Sequence, residues 1–178
     1  MVKKVSDVVN QPPTFTSAPN GWTIPATPTD MVTIRNPSAK IVRILAIIIT
    51  GTQTTAGINK FFLIKRSALD TGGTAVADGV IANDSSDIAT VVVEHWTANP
   101  AVLGATGGGY GTIAAEILLC PAPADKVMDR IIWIFAGFPY GSKELLLKTA
   151  TEELAINFGG VALPAGLSIN IEILYTEE

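Results

Sequence analysis

Cysteine occurs once in this 178-residue chain, at Cys120, and histidine once, at His95. A single thiol excludes an intrachain disulfide and reads as a buried structural cysteine in a protein that folds in a reducing compartment. Charge is also scarce. Asp, Glu, Lys and Arg make up 16% of the residues, against roughly 25% in ordinary soluble domains, a deficit that points to surface buried by association. The formal charge of −4, with no cluster of Lys and Arg, gives no electrostatic basis for wrapping nucleic acid. No apolar run approaches the roughly 20 residues that cross a bilayer; the greasiest late stretch, Ile131 to Phe138, is far shorter. The opening Met-Val-Lys-Lys-Val-Ser-Asp carries positive charge but no apolar core after it, so no secretion signal is read there. Neither nucleic acid nor membrane is an expected partner.

What the chain has in quantity is β-branched residues, 16 Gly and 11 Pro. The stretch from Ile41 to Ser67 organises the rest. Its first run, Ile-Val-Arg-Ile-Leu-Ala-Ile-Ile-Ile-Thr, has a weak helical period, but it is short, rich in side chains stiff at χ1, and ended by Gly51 and the Thr-rich segment behind it. A strand is expected, with Leu45, Ile47 and Ile49 on one face and Ile44, Ala46 and Ile48 on the other. The second run, Lys60 to Arg66, repeats the two-sided pattern with Phe61 and Leu63 against Phe62 and Ile64. In an antiparallel protein one face normally meets water. A strand apolar on both faces therefore needs a second cover, expected from a neighbouring subunit or from the chain's own arm.

That arm is residues 1–30. Pro12-Pro13, Pro19, Pro25 and Pro28 disfavour helix, while Phe15, Trp22 and Ile24 are side chains that gain by burial. The expectation is an extended segment that docks on a partner, adding a strand to a neighbour's sheet edge. Its removal should then leave a folded core with weakened attachment. Residues 31–178 are expected to form the domain. Short strands are read at Met31 to Asn36, Thr90 to Trp96, Ile113 to Cys120, Asp129 to Phe135, Leu154 to Phe158 and Val161 to Leu163. Another is read near Ala75 to Ile81. Lys143 to Glu153 has helical composition but is read as a short strand and a turn. Ser168 to Thr176 alternates cleanly, with Ile169, Ile171, Ile173 and Tyr175 pointing one way. About eight to ten short strands without a convincing helix predict an all-β protein, a jelly-roll-like antiparallel β-sandwich with an extended N-terminal arm.

Candidate chemistry is thin. Glu94 and His95 are neighbours on a strand and point to opposite faces, so they cannot form a catalytic pair. A zinc site from Cys120, His95 and distant carboxylates has no supporting ligand spacing. Gly104 to Gly111 satisfies neither the dinucleotide nor the Walker pattern. Asn83-Asp84-Ser85-Ser86-Asp87 lacks the alternating acids and terminal Glu of a calcium loop. Glu94, Glu116, Glu152, Glu153 and Glu172 could in principle pair for glycoside hydrolysis, but their separations are invisible in sequence. The chain reads as a non-enzyme with no catalytic residue, cofactor or metal. Phe15, Trp22, Ile24, Ile44 and Ile48 are the candidate partner-interface residues.

Three segments carry a resemblance: Ile49 to Ser67 with its Gly-Thr-Gln-Thr-Thr-Ala-Gly-Ile-Asn and Leu-Ile-Lys-Arg-Ser; Thr97-Ala98-Asn99-Pro100; and Leu154-Ala155-Ile156-Asn157 through the ending Ile171-Glu172-Ile173-Leu174-Tyr175-Thr176-Glu177-Glu178. Together they resemble a family of small virion proteins from tailed bacteriophages, over most of residues 40–178. The resemblance implies a head-associated structural protein, a decoration or cement protein sitting as a homotrimer on the capsid exterior, bound to the major capsid protein and assembled in the host cytoplasm. It brings no catalytic or ligand residues, and residues 1–30 lie outside it. Two alternatives stay open: a head fibre or tail component, and a carbohydrate-binding jelly roll that would use Trp96, Tyr110 or Tyr140.

Overall fold

The computed structural model describes residues 12–120, 130–135 and 144–178. Among them are twelve strands and no helix. In chain order these are β1 (Thr14–Ser17), β2 (Asp30–Arg35), β3 (Val42–Thr52), β4 (Gly57–Arg66), β5 (Thr74–Ala77) and β6 (Val80–Ala82). They continue as β7 (Val92–Ala98), β8 (Gly111–Cys120), β9 (Ile131–Ile134), β10 (Leu145–Leu147), β11 (Glu153–Asn157) and β12 (Ser168–Glu177). They build two antiparallel six-stranded sheets. Sheet I runs β10-β3-β12-β1-β6, with β9 also paired to β3; sheet II runs β5-β7-β2-β11-β4-β8. The protein is an all-β antiparallel sandwich.

The core lies between the sheets. Ile169, Ile171, Ile173 and Tyr175 of β12 are all buried, as the alternation of that strand requires. Opposite, Phe61 and Leu63 of β4 and Leu154 and Ile156 of β11 are fully buried, and Phe61 meets Phe158 edge to face at 4.7 Å. Leu145 and Leu147 are buried while Leu146 between them is not, so the helical composition of that segment loses to a strand that can put two leucines inward. Val161 to Leu163 is not a strand: Gly159 and Gly160 both take positive φ and turn the chain away after β11.

The facing of β3 differs from simple alternation. Val42 and Ile44 are buried, and so are Ile47 and Ile49. Inward parity changes because β12 pairs Leu174 with Ala46 but Tyr175 with Ile44, leaving Leu45 without a partner on β12. One extra residue in a strand is a β-bulge, and it flips every side chain beyond it. Ile44 therefore faces the same way as Ile47 and Ile49, and not with Ala46 and Ile48.

The N-terminal segment also departs from expectation. From Thr14 it belongs to the sandwich: β1 is hydrogen-bonded on one side to β12 and on the other to β6, and Phe15 is fully buried, stacked on Tyr175 at 5.5 Å. The connection to β2 is pinned as well. Pro19 O accepts Ile171 N, Pro28 O accepts Gly160 N, and Asn99 ties down both Thr27 O and Thr29 N. A boundary between an arm and a domain at residue 30 has no counterpart here, because the proline-rich stretch gains more by pairing and burying Phe15 than by remaining free.

Candidate interaction surface

The two sheets end in edges of different kinds. On one side of the sandwich the edges are β5 and β6, of four and three residues, and short edges offer little to pair with. On the other side stand β8, ten residues long, and the β9 and β10 pair flanking β3. A cleft lined by Lys65, Tyr110, Ile113, Phe135, Glu144 and Leu145 runs between these edges, so β8 and β9 share one side of the molecule.

The strands at these edges carry large apolar groups open to solvent, on the outer face of each sheet. Ile113 and Ile117 of β8 are 43% and 57% exposed, and Ile132 and Ile134 of β9 are 42% and 52% exposed. Ile48 stands directly across the ladder from Ile132, and Ala46 from Ile134. On β4, Ile58 is 58% exposed beside the paired end of β8. The cause is the two-sided apolar composition of β3, β4 and β9: Ile131 and Trp133 fill the core, and Ile132 and Ile134 have nowhere to go but out. The polar rim is formed by Arg43, which donates to Glu178 at 2.9 Å and pairs with Glu144.

Of the five residues read as an interface, the structure gathers none into a single patch. Phe15 and Ile44 are in the chain's own core, which corrects their assignment as surface anchors: both have zero accessible surface because β12 and β3 bring them against Tyr175 and its neighbours. Trp22 and Ile24 are partly buried against the core and line a shallow groove with Leu163, Pro164 and Leu167. The Trp22 ring lies 5.3 Å from His95. Ile48 alone borders the exposed apolar side, and it also faces Ala18, Pro19 and Asn20 across a shallow cleft. The exposed isoleucines of β8 and β9 were missed because the sequence shows which residues alternate, not which strands stand at an edge.

The remaining candidate residues are spent on structure. His95 Nδ1 lies 2.9 Å from Asp78 Oδ1, while Glu94 accepts from Arg35 at 2.8 Å, on opposite faces of β7. Burial pushes the Asp78 carboxyl up, against the pull of its bond to His95. Trp96 is buried with Nε1 donating to Thr33, and so is not a ring open to a sugar. Tyr110 is only partly open; its hydroxyl donates to Glu152, which also holds Lys65 at 3.1 Å. Burial pushes the Glu152 carboxyl up, but hydrogen bonds from Lys148 N, Tyr110 and Lys65 outweigh it and hold it below its ordinary value. Tyr140 and the side chain of Cys120 lie outside the described residues. Asp84 Oδ1 accepts from Ser86 N and Oγ, closing its own turn. Among the described residues no three of His, Cys, Asp and Glu are placed to hold a metal ion.

One buried polar group escaped sequence reading altogether. Arg66 Nε donates to Asp30 at 2.5 Å and lies 3.5 Å from Asp70, and Glu153 accepts from Asp70 N. All four residues are buried. No motif announces this cluster, since its members come from β2, β4, β11 and the loop after β4.

Neither a protein-family model, nor a curated protein, nor a solved structure matches the chain.

Proposed function

We propose that the protein is a virion structural protein, a jelly-roll-type capsid decoration protein that binds the outer capsid lattice as a homotrimer. The observation that carries this reading is the apolar patch on the outer face of sheet I, Ile132 and Ile134 with Ile48 directly across the ladder. Monomers seldom leave large aliphatic side chains open together on one sheet face, and obligate assemblies bury such surface. The scarcity of charge supports it, because a surface destined for burial between neighbours is costly to charge. So does the resemblance of residues 40–178 to small phage virion proteins. Contact among copies, and with the major capsid protein, then rests on β9. Exchange of the N-terminal arm, in this reading, is a swap of β1 into the same slot between β12 and β6 of a neighbour.

Light scattering of the purified protein, followed by mixing with undecorated phage heads, tests the proposal. A species of three times the 18.6 kDa chain mass that coats the heads is the expected result. Replacing Ile132 and Ile134 by Asp should give a monomer with unchanged far-UV circular dichroism that no longer binds. A wild-type monomer that ignores the heads would overturn the proposal, and a double variant that still trimerises and binds would remove β9 from the interface.

A further inference from the structure

The loop after β4 and the loop after β7 are fastened to each other and to the buried cluster. Thr71 N donates to Val102 O at 2.9 Å and Val102 N returns to Thr71 O at 3.0 Å; Ser67 N donates to Ala105 O. Gly104 sits at the centre of the fastening: its N–H donates to Asp70 Oδ1 at 2.7 Å, and its carbonyl accepts from Arg66 Nη1 at 2.7 Å. No side chain would fit at Gly104, because a Cβ there would collide with the backbone of Ala68.

The charge count in this interior does not balance. From β2 come Asp30 and Arg35, from β4 Arg66, from the loop after it Asp70, and from β11 Glu153 with the neutral Asn157. The segment 101–106 offers no ionisable side chain. Arg35 stands across from Glu153 in the ladder but gives its guanidinium to Glu94 of β7. Arg66 is then the one guanidinium set against these three buried carboxyl groups, bonded to Asp30, 3.5 Å from Asp70 and acting on Glu153 only through its charge, in an environment where an unpaired charge is costly. Asn157 Nδ2 donates to Asp30 Oδ1 at 2.5 Å and adds no charge. Asp70 Oδ2 is buried with no partner, an unexplained orphan if the carboxyl is ionised and the natural seat of a proton if it is not. The neighbouring Asp30 carboxyl is the acceptor such a proton would find.

We propose that the loop pair Ser67–Gly73 and Val102–Ala105 is a proton-gated latch, closed while the cluster of Asp30, Asp70 and Glu153 holds a proton and opened when that proton is lost. Asp30 and Glu153 are fixed on central strands, whereas Asp70 is on a loop that water can reach if it swings out. Loss of the proton therefore expels Asp70, and the backbone bridge at Thr71 and Val102 carries the second loop with it. Burial and the neighbouring carboxylates push Asp70 up to about 7 and Glu153 up to about 8, so the hold on the closed latch weakens as the pH rises toward these values and is gone above them. This inference is independent of the capsid reading.

Hydrogen exchange of the full-length protein between pH 6 and pH 9, followed by mass spectrometry, tests it. After correction for intrinsic exchange, peptides covering residues 67–73 and 101–106 should accelerate by up to roughly tenfold per pH unit as the pH rises toward the closed-state values and level off above them, as loss of one linked proton requires. Peptides of β12 serve as the reference and should not. Asp70→Asn keeps the size and the acceptor for Gly104 N but cannot ionise, and should flatten the profile; Glu153→Gln should lower its slope. Loop exchange in the wild type that tracks β12 across the range would overturn the proposal without recourse to any variant, and so would an Asp70→Asn profile as steep as the wild type.

Discussion

Replacing Phe15 by Ala asks whether the N-terminal segment is part of the fold or a detachable arm. The ring is fully buried, stacked on Tyr175 at 5.5 Å with 26° between the planes, and flanked through β1 by ladders to β12 and β6. Deleting a buried Phe side chain costs about 3–5 kcal/mol, including the cavity it leaves. At this chain length each kcal/mol moves Tm by roughly 2–4 °C, so a drop of roughly 6–20 °C is expected. Thr16→Ala, on the opposite face of the same strand and half-exposed, should cost under about 1 kcal/mol.

The assay is thermal unfolding by circular dichroism over a hundredfold range of protein concentration. If β1 pairs within its own chain, the drop is the same at every concentration; if it is exchanged, dilution lowers the wild-type Tm and narrows the gap. A Phe15→Ala loss below about 1 kcal/mol would refute the argument that β1 is integral. Truncation sharpens the test. Removal of residues 1–30, read from sequence as harmless to the core, should instead prevent folding, because it uncovers Tyr175 and strips β12 and β6 of their shared partner.

Glu177 is buried and accepts from Thr90 N, Thr90 Oγ1, Val91 N and Lys40 Nζ. Burial raises its pKa, but these bonds outweigh it and hold the carboxyl below its ordinary value. The folded state thus binds its proton less tightly than the unfolded chain, and the stabilisation is present above the unfolded value near 4.5 and lost as pH falls through the folded one. Glu177→Gln should cost about 1–3 kcal/mol at pH 7, with the gap to wild type closing in acid denaturation series below pH 4. An equal gap at pH 3 and pH 7 would contradict this. Gly104→Ala should force the loop pair apart, making residues 67–73 exchange rapidly at every pH and lowering stability by about 1–3 kcal/mol. A crystal structure of that variant with the Gly104 bonds intact would show the steric argument to be wrong.

Much of the sandwich was legible because strand formation is a local matter. β12 announces itself by Ile169, Ile171, Ile173 and Tyr175 alternating with polar residues, and all four are inside. β4 is as plain, with Phe61 and Leu63 inward and Phe62 and Ile64 only partly covered. The demand of β3 for a second cover was also readable, from isoleucine on both faces. What covers it was not: β9 lies alongside, Ala18 to Asn20 stand across a cleft, and Ile132 and Ile134 remain open.

The bulge at Leu45 shows the limit sharply. Alternation carries no sign of an extra residue, because the residue becomes extra only when β12 fails to pair with it. The same holds for Phe15, whose burial depends on a slot between β12 and β6, and for the cluster of Asp30, Arg66, Asp70 and Glu153, whose members are far apart in the chain. By itself the sequence determined which segments extend and which of their side chains seek burial, since period and β-branching act over a few residues. Only the tertiary structure decided partners, edges and charge balance. Those depend on contacts between distant segments, and a buried carboxylate or an open isoleucine is defined by what the rest of the chain has, or has not, placed beside it.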